Sequence, residues 1–301
     1  MNTVIPIEPA RMRKSGQDNK KFVEIAPGKH IPASLSVRKL EKRILRLTAN
    51  AITEYDMICE GDKVLVAMSG GKDSYVLLDA LRKLQARAPV HFELLAVHVD
   101  QHIPNNPTHI IEQYLEGIGV PYHIEDQDTH SIIERLIPSG KNVCSLCARL
   151  RRGILYRVAR EHGCTKIALG HQMDDVVSTL LLNMFYGGRL KAMPPVLRSD
   201  DGENTVIRPL IYVREYEAAK WAKICGYPLV PKDLCGAAEN KKRKEIKELI
   251  AQWDREFDSR IYNLFMSTTR VAASQLADPT LYDFRNFCRI GSEEVPEDTD
   301  D

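Results

Sequence analysis

The sequence predicts an α/β fold, because short runs of β-forming residues alternate with helical patterns along the middle of the chain. Apolar runs begin at Lys63, Phe92, Tyr122 and Lys166, and a segment with helical spacing follows each of them. This alternation is typical of parallel strands joined by crossover helices that cover both faces of the sheet. Because such crossovers are right-handed, we expect a Rossmann-like, doubly wound parallel sheet.

Helices are expected to flank this sheet at both ends of the chain. Before the first strand, Val37, Leu40, Ile44 and Leu47 advance by three or four residues, which places them on one face of an amphipathic helix. Further helical patterns follow the last strand. The predicted strands are 63–68, 92–99, 122–125 and 166–169, and the predicted helices are 76–84, 108–116, 148–161, 174–185, 214–225 and 239–270.

The pattern divides the chain into five segments. The first segment mixes proline, glycine and charge without periodicity, which predicts a disordered basic tail. The last segment is acidic and is predicted to be a second disordered tail. The boundaries are a tail at 1–35, a helix at 36–60, the α/β domain at 61–235, a helical segment at 236–290 and the acidic tail at 291–301.

Composition excludes several classes of protein. Apolar residues make up 44% of the 301 residues and charged residues 28%, which is typical of a globular protein. No apolar run reaches the ~18 residues that a membrane span needs, and the start of the chain has no apolar signal segment. We therefore expect a cytoplasmic protein, in which the seven cysteines favour metal or thiol chemistry over a disulfide framework.

A glycine-rich loop joins the first predicted strand to its helix. Glycines let the backbone approach a ligand closely, and the N–H groups at a helix start favour an anion. The loop fits neither the Walker A spacing nor the dinucleotide-binding G-x-G-x-x-G, and a plain strand-to-helix turn is the alternative. We predict that the whole loop binds phosphate and that Lys72 and Asp73 are also catalytic. Its residues are Ser69, Gly70, Gly71, Lys72, Asp73 and Ser74.

Two cysteines, Cys144 and Cys147, form a CxxC motif at the entrance of the helix predicted at 148–161. A helix N-terminus favours thiolates, and this spacing lets both of them reach one metal or cluster. Cys235 stands alone before a glycine, so three thiolates would leave one position open. An iron–sulfur cluster, a zinc site completed by histidine and a redox dithiol all fit these residues.

Six segments together resemble the tRNA 2-thiocytidine synthetases, also called tRNA-cytidine(32) 2-sulfurtransferases, of the PP-loop ATP pyrophosphatase superfamily. The resemblance extends from about Ser36 to Phe287. The segments are SGGKDS at 69–74, CSLCARLRRGILY at 144–156, LGHQMDD at 169–175, LNMFYGG at 182–188, RPL at 208–210 and DLCG at 233–236. One departure from the family pattern is Gln172, where histidine or asparagine is expected.

The resemblance implies a cytoplasmic enzyme that uses ATP and Mg²⁺ to replace the 2-oxo group of an anticodon-loop cytidine with sulfur. It makes 61–235 the PP-loop ATP pyrophosphatase domain, with a [4Fe-4S] cluster on Cys144, Cys147 and Cys235. It further implies tRNA as substrate, a cysteine desulfurase as sulfur donor and a homodimer. Two alternatives remain at this point: thiolation of a tRNA uridine by the same chemistry, and a non-catalytic tRNA- or nucleotide-binding module with structural zinc.

Polar residues at two strand ends complete the predicted nucleotide site. Gly170 and His171 directly follow a strand, and we predict that they contact ATP. Asp174 and Asp175 come next; we predict both as Mg²⁺ ligands and Asp175 as catalytic, the alternative being helix-capping acids. Asp100 ends another strand and is expected to face the nucleotide, unless it only stabilises a turn.

Basic side chains follow both cysteine segments. Their placement favours contact with tRNA phosphates, although ordinary solvated helix faces are an alternative. Similarity to uridine-thiolating relatives implies that Arg151 is a catalytic basic residue. The residues concerned are Arg149, Arg151 and Arg152, and then Lys241, Lys242, Arg243, Lys244 and Lys247.

Overall fold

The computed structural model describes residues 22–26, 29–32, 34–137, 143–231, 241–257 and 259–285. The chain forms two compact units, 1–250 and 251–301, and every candidate site residue belongs to the first. The elements in chain order are β1 (Phe22–Ala26), β2 (Lys29–Pro32), α1 (Leu35–Glu54), β3 (Lys63–Met68), α2 (Lys72–Gln85), β4 (Glu93–Asp100), α3 (Thr108–Gly117), β5 (Tyr122–Asp126), α4 (His130–Leu136), α5 (Cys144–Glu161), β6 (Lys166–Ala168), α6 (Met173–Gly187), β7 (Val196–Arg198), β8 (Thr205–Ile207), α7 (Glu215–Cys225), α8 (Lys241–Glu256) and α9 (Arg260–Met266).

Six strands form the central sheet in the order β5-β4-β3-β6-β8-β7. All neighbours pair in parallel except β7, which lies antiparallel at the edge. The chain passes from β3 to β4 on one side and later to β6 on the other side of β3. In open α/β sheets, ligands bind outside the carboxyl end of the strand where the order reverses in this way. The predicted doubly wound α/β fold is therefore confirmed, and the loop after β3 lies at this point.

Helices cover both faces of the sheet. α5 buries Leu155 and Val158 against Leu65, Val97 and other apolar side chains of β3, β4, β6 and β8. α2 packs against α1 and α7 and is buried along most of its length. Because crossover helices run antiparallel to the strands, the N-termini of α2 and α5 both lie at the carboxyl edge of the sheet. No helix of the described part of the chain is long and apolar enough to span a membrane.

The structure differs from the sequence-based elements in several places. α5 begins at Cys144, four residues earlier than predicted, so the CxxC motif forms its first turn. The helix predicted at 239–270 is two helices, α8 and α9. The three-residue strands β7 and β8 and the seven-residue helix α4 have no counterpart among the predicted elements, because such short elements show no measurable periodicity.

The N-terminal prediction also needs correction. Within the segment predicted as a disordered tail, β1 and β2 pair antiparallel. The rest of 1–33 and the acidic tail at 291–301 lie outside the described residues.

Candidate active site

The loop after β3 is shaped by close packing around Gly70. Its backbone has φ +74°, and a Cβ there would lie 2.5 Å from Cγ2 of Val230. Val230 also donates its N–H to the Gly70 carbonyl over 3.0 Å. Within the loop, the Ser74 hydroxyl donates to the Gly71 carbonyl over 2.9 Å. Gly71 is the N-cap of α2 and has no side chain to accept hydrogen bonds from the first turn. The N–H groups of that turn therefore present an anion-binding surface.

Lys72 lies among carboxylates at the start of α2. Its Nζ donates to Oδ1 of Asp73 over 2.8 Å and to Oε1 of Glu215 over 3.1 Å. Burial lowers the pKa of Lys72, but the hydrogen bonds and charges of Asp73 and Glu215 outweigh burial and raise it. Lys72 is therefore a cation at neutral pH, as a phosphate-binding lysine must be.

Gln172 connects this loop to α6. Its Nε2 donates to Oδ1 of Asp73 over 2.6 Å, and its N–H donates to Oδ2 of Asp175 over 3.0 Å. Burial raises the pKa of Asp175, and the neighbouring carboxylates of Asp73 and Glu215 act in the same direction. The residue that departs from the family pattern thus holds two of the predicted catalytic carboxylates in place.

Asp174, the other predicted Mg²⁺ ligand, forms a buried ion pair with Arg214. Arg214 donates to both of its carboxylate oxygens from Nε, and Nη2 adds a third hydrogen bond of 3.1 Å. The N–H of Glu215 donates to Oδ2 over 2.6 Å. A metal ion would have to displace these donors, so the geometry favours Asp174 as a link between α6 and α7.

Gly170 and His171 lie where the end of β6 meets α2. A Cβ on Gly170 would be 2.9 Å from the Asp73 carbonyl oxygen, so only glycine allows this approach. Burial and, to a smaller extent, the charges of four arginines together lower the pKa of His171 to about 4. These arginines are Arg208, Arg243, Arg151 and Arg152. The ring is therefore neutral at physiological pH, and its buried Nδ1 has no hydrogen-bond partner among the described residues.

Asp100 stabilises the turn that follows β4. Its Oδ1 accepts from the N–H of His102 over 3.0 Å, and its Oδ2 accepts from Oγ1 of Thr108 over 2.8 Å. Both carboxylate oxygens accept hydrogen bonds from the segment that leads to α3. These contacts favour a role of Asp100 in stabilising the turn over the predicted contact with the nucleotide.

The two cysteines of the first turn of α5 are one helical turn apart. Cys144 is exposed and Cys147 is half-buried. Nε2 of Gln101 lies 3.5 Å from Sγ of Cys147 and also donates to Oγ1 of Thr129 over 2.7 Å. Gln101 directly follows β4, so α5 is connected to the carboxyl edge of the sheet. Cys235 lies outside the described residues, and those that are described contain no group of three potential metal ligands.

A histidine on β4 links the two parts of the site. Nδ1 of His98 lies 2.8 Å from the carbonyl oxygen of Met68, the residue before the phosphate loop. Burial lowers the pKa of His98, and Arg151 of α5 lowers it further against opposing effects of Met68 and Asp100. Arg151 is exposed, and its charge lowers the pKa of both His98 and His171. The other basic residues predicted to contact tRNA are likewise exposed: Arg149 and Arg152 on α5, and Lys241, Lys242, Arg243, Lys244 and Lys247 on α8.

Several residues of the site have no signal in the sequence pattern. Glu215 reaches Lys72 across 143 positions of sequence, and Gln101 contacts Cys147 from a different element. No motif indicates Arg214 either, although it pairs with Asp174. Only the tertiary fold brings these partners together, whereas Gln172 and the RPL motif are visible as parts of the family resemblance.

The chain is similar in sequence to proteins of one known family. Residues 37–251 match the PP-loop domain family. The chain is 56% identical over 253 residues to the tRNA-cytidine(32) 2-sulfurtransferase of Paracidovorax citrulli (strain AAC00-1), covering 84% of this chain and 82% of that one. It is 53% identical to the protein of the same name from Delftia acidovorans (strain DSM 14801 / SPH-1), covering 84% and 81%.

A solved structure has the same fold. It is the U34-tRNA thiolase NcsA from Methanococcus maripaludis with its [4Fe-4S] cluster, with a TM-score of 0.63 and 24% sequence identity. The match covers 77% of this chain and 78% of that one. At this identity the likeness concerns the arrangement of sheet and helices.

Proposed function

This chain belongs to the PP-loop domain family and to the tRNA-cytidine(32) 2-sulfurtransferases, and we propose that it converts cytidine 32 of tRNA to 2-thiocytidine through an adenylated intermediate. Family membership makes the chain a transferase in tRNA thiolation, so the alternative of a non-catalytic module is wrong. The choice of cytidine over uridine follows the name of the relatives. The intermediate and the route of the sulfur are our proposal.

The observation that supports this chemistry best is the connection between the phosphate loop and the cysteine helix. His98 contacts the carbonyl before the loop, and Gln101, three residues further on, contacts Cys147. One strand end therefore places an anion-binding helix start and a thiol-bearing helix start around the same edge of the sheet. We propose that the base to be modified binds at this edge, between the two helix starts.

In the first step, ATP binds with its phosphates on the Ser69–Ser74 loop. The C2 oxygen of cytidine attacks the α-phosphorus; the new O–P bond forms as the bond to the bridging oxygen breaks, and pyrophosphate leaves. Lys72 and the first-turn N–H groups of α2 stabilise the developing negative charge. Asp175 and Asp73 are the carboxylates that would hold Mg²⁺, because oxygen ligands beside a phosphate site suit this ion.

In the second step, a sulfide equivalent attacks C2 of the activated base. The C–S bond forms, the C–O bond breaks, AMP leaves, and the sulfur loses its proton. No electrons are gained or lost. We propose that Arg151 stabilises the leaving phosphate. We propose that the sulfur comes from a cysteine desulfurase as a persulfide, which two thiols reduce to the sulfide level before this step, becoming a disulfide as they give up two electrons. We further propose that the enzyme acts in the cytoplasm as a homodimer.

The cysteines suit an iron–sulfur cluster. Cys144 and Cys147 lie one turn apart at a helix start, and the Gln101 amide near Cys147 is the kind of donor that tunes cluster sulfur ligands. With Cys235 they would hold a [4Fe-4S] cluster by three thiolates, and such a cluster supplies one iron that can bind an exogenous sulfur ligand.

Nucleoside analysis of tRNA tests the proposed activity. In a strain that lacks this protein, mass spectrometry should detect no 2-thiocytidine, and the wild-type chain should restore it. Lys72→Ala should not restore it. The control Lys223→Ala changes a lysine of α7 outside the site and should restore it fully. Restoration of a thiolated uridine in place of 2-thiocytidine would contradict the proposed substrate.

A further inference from the structure

Arg208, the residue after β8, is a buried cation without an acidic partner among the described residues. It is 7% exposed, and its Nη1 donates to the Pro194 carbonyl over 2.5 Å. Its buried Nε has no hydrogen-bond partner in the described part of the chain. Burying a guanidinium without a compensating anion is costly, and buried arginines are therefore normally paired. The position suggests that the anion comes from a ligand.

The surroundings of Arg208 are positively charged. Leu169 donates its N–H to the Ile207 carbonyl over 3.0 Å, so Arg208 lies beside the strand end that leads to His171. Burial lowers the pKa of Arg208, and the charge of Arg152 on α5 lowers it further. The arginines whose charges lower the pKa of His171 lie on α5, on α8 and directly after β8. Cations from three parts of the fold thus surround one imidazole whose Nδ1 lacks a partner among the described residues.

The arrangement differs from the phosphate loop in both location and charge. Val206 packs against α5, and the alternation of the strand places Arg208 on that same face of the sheet. The first turn of α2 and its carboxylates face α7, where Glu215 meets Lys72. Arg208 therefore lies on the same side of the sheet as α5, which carries Arg152 and the CxxC motif.

We infer that Arg208, Arg152 and His171 form a second phosphate site, which takes a backbone phosphate of the RNA next to the base being modified. A guanidinium presents a planar fork of donors that suits phosphate oxygens. A neutral imidazole adds one further hydrogen bond without changing charge. The inference rests on the proposed function, because it takes tRNA as the bound RNA.

Binding measurements on Arg208→Gln test this inference. Affinity for unmodified substrate tRNA, measured by fluorescence anisotropy over a range of salt concentrations, should fall roughly tenfold, and the slope of log K against log salt should decrease by about one. Affinity for ATP should stay within twofold. The matched control is Arg198→Gln. Nε of Arg198 also donates to a loop carbonyl, that of Gly202, over 3.0 Å. Arg198 is exposed, however, and lies on β7 opposite Thr205, at the other end of β8 from Arg208.

The outcomes separate the sources of the phosphate. A loss of ATP affinity with unchanged tRNA affinity would overturn the RNA assignment and give the site to the nucleotide. Unchanged affinity for both ligands in a folded variant would overturn the inference, and so would a loss of bound iron with both affinities retained. If Arg208→Gln does not fold, the same binding measurements are made on Arg152→Gln, because Arg152 is exposed. An unchanged salt slope for tRNA binding in that variant would overturn the inference. Failure of the wild-type chain to bind tRNA would instead refute the proposed function.

Discussion

Nε2 of Gln172 donates a hydrogen bond of 2.6 Å to Oδ1 of Asp73, which joins the N-cap of α6 to the first turn of α2. Asp73 in turn accepts from Lys72, and the Gln172 backbone N–H donates to Asp175. Gln172 is 1% exposed. One buried amide therefore positions the phosphate-binding lysine and the carboxylate proposed for Mg²⁺ relative to each other.

Gln172→Ala should weaken both folding and ATP use. Removing the amide takes a donor from the Asp73 carboxylate, which costs about 1–3 kcal/mol in the free energy of unfolding. We expect kcat/KM for ATP to fall about tenfold or more, which corresponds to about 1.4 kcal/mol of transition-state stabilisation. Denaturant unfolding and tRNA-dependent pyrophosphate release measure the two effects. The control Gln252→Ala changes an exposed glutamine that bonds to Glu256 of its own helix, and normal kinetics are expected there.

Gly170→Ala should be destabilising although alanine is small. Its Cβ would lie 2.9 Å from the backbone oxygen of Asp73, so α2 must shift, and we expect a loss of about 1–3 kcal/mol together with weaker ATP binding. Gly153 of α5 is the matched control because a Cβ added there would meet nothing within 4 Å among the described residues. Gly153→Ala should stabilise the protein by roughly 0.5–1 kcal/mol. Equal effects of the two substitutions on thermal unfolding would argue against the close approach.

Asp174→Asn distinguishes a structural from a metal-binding role. Breaking the buried pair with Arg214 should cost about 3–5 kcal/mol, because it removes the carboxylate that accepts three hydrogen bonds from this buried guanidinium. Unfolding in denaturant checks this loss. Asp175→Asn should leave bound iron normal and abolish pyrophosphate release. If Asp174→Asn is as stable as the wild type but does not adenylate, then Asp174 is a metal ligand after all.

The stability of the fold should decrease in mild acid because of His171. Burial holds its pKa at about 4 in the folded state, below the value of 6.5 for an unfolded chain. The folded state therefore binds fewer protons, so its stability is complete above pH 6.5 and is lost as the pH falls toward 4. His171→Gln should flatten this part of the profile of unfolding free energy against pH. The exposed His91→Gln is the control, and a profile that His171→Gln leaves unchanged would contradict the assignment.

The cysteines should divide into two groups. Cys144→Ala, Cys147→Ala and Cys235→Ala are expected to lose both bound iron and thiolation, since two thiolates seldom retain a cluster. Cys59→Ser, Cys164→Ser, Cys225→Ser and Cys288→Ser should keep both, with a stability loss of about 1–3 kcal/mol at most. Buried Cys225, whose pKa burial raises to about 12, is the most informative of these controls. Iron content and nucleoside analysis of the same preparations check the division, and a fully active Cys235→Ala protein would refute the third ligand.

Sequence patterns predict the doubly wound sheet because periodicity and the order of strands and helices are local properties. The loop at Ser69–Ser74 and the CxxC pair are found for the same reason, since each is a short motif next to a helix start. Because both are aspartates, the sequence does not show that Asp174 and Asp175 have different roles. Their roles depend on Arg214 and Gln172, and the partner Arg214 is 40 residues away in sequence. The cation cluster at Arg208 depends on strand order, which brings β6 beside β8.

The fate of one oxygen atom shows whether the cytidine base is adenylated. If the C2 oxygen of cytidine attacks the α-phosphorus, that oxygen must leave with AMP when sulfur takes its place. The measurement is the mass of the AMP released from tRNA that carries heavy oxygen at C2 of cytidine 32, with ATP and a sulfide source present. Adenylation of the base should give one heavy oxygen in each AMP formed per 2-thiocytidine. Unlabelled AMP, with the heavy oxygen found in water, would contradict an adenylated base.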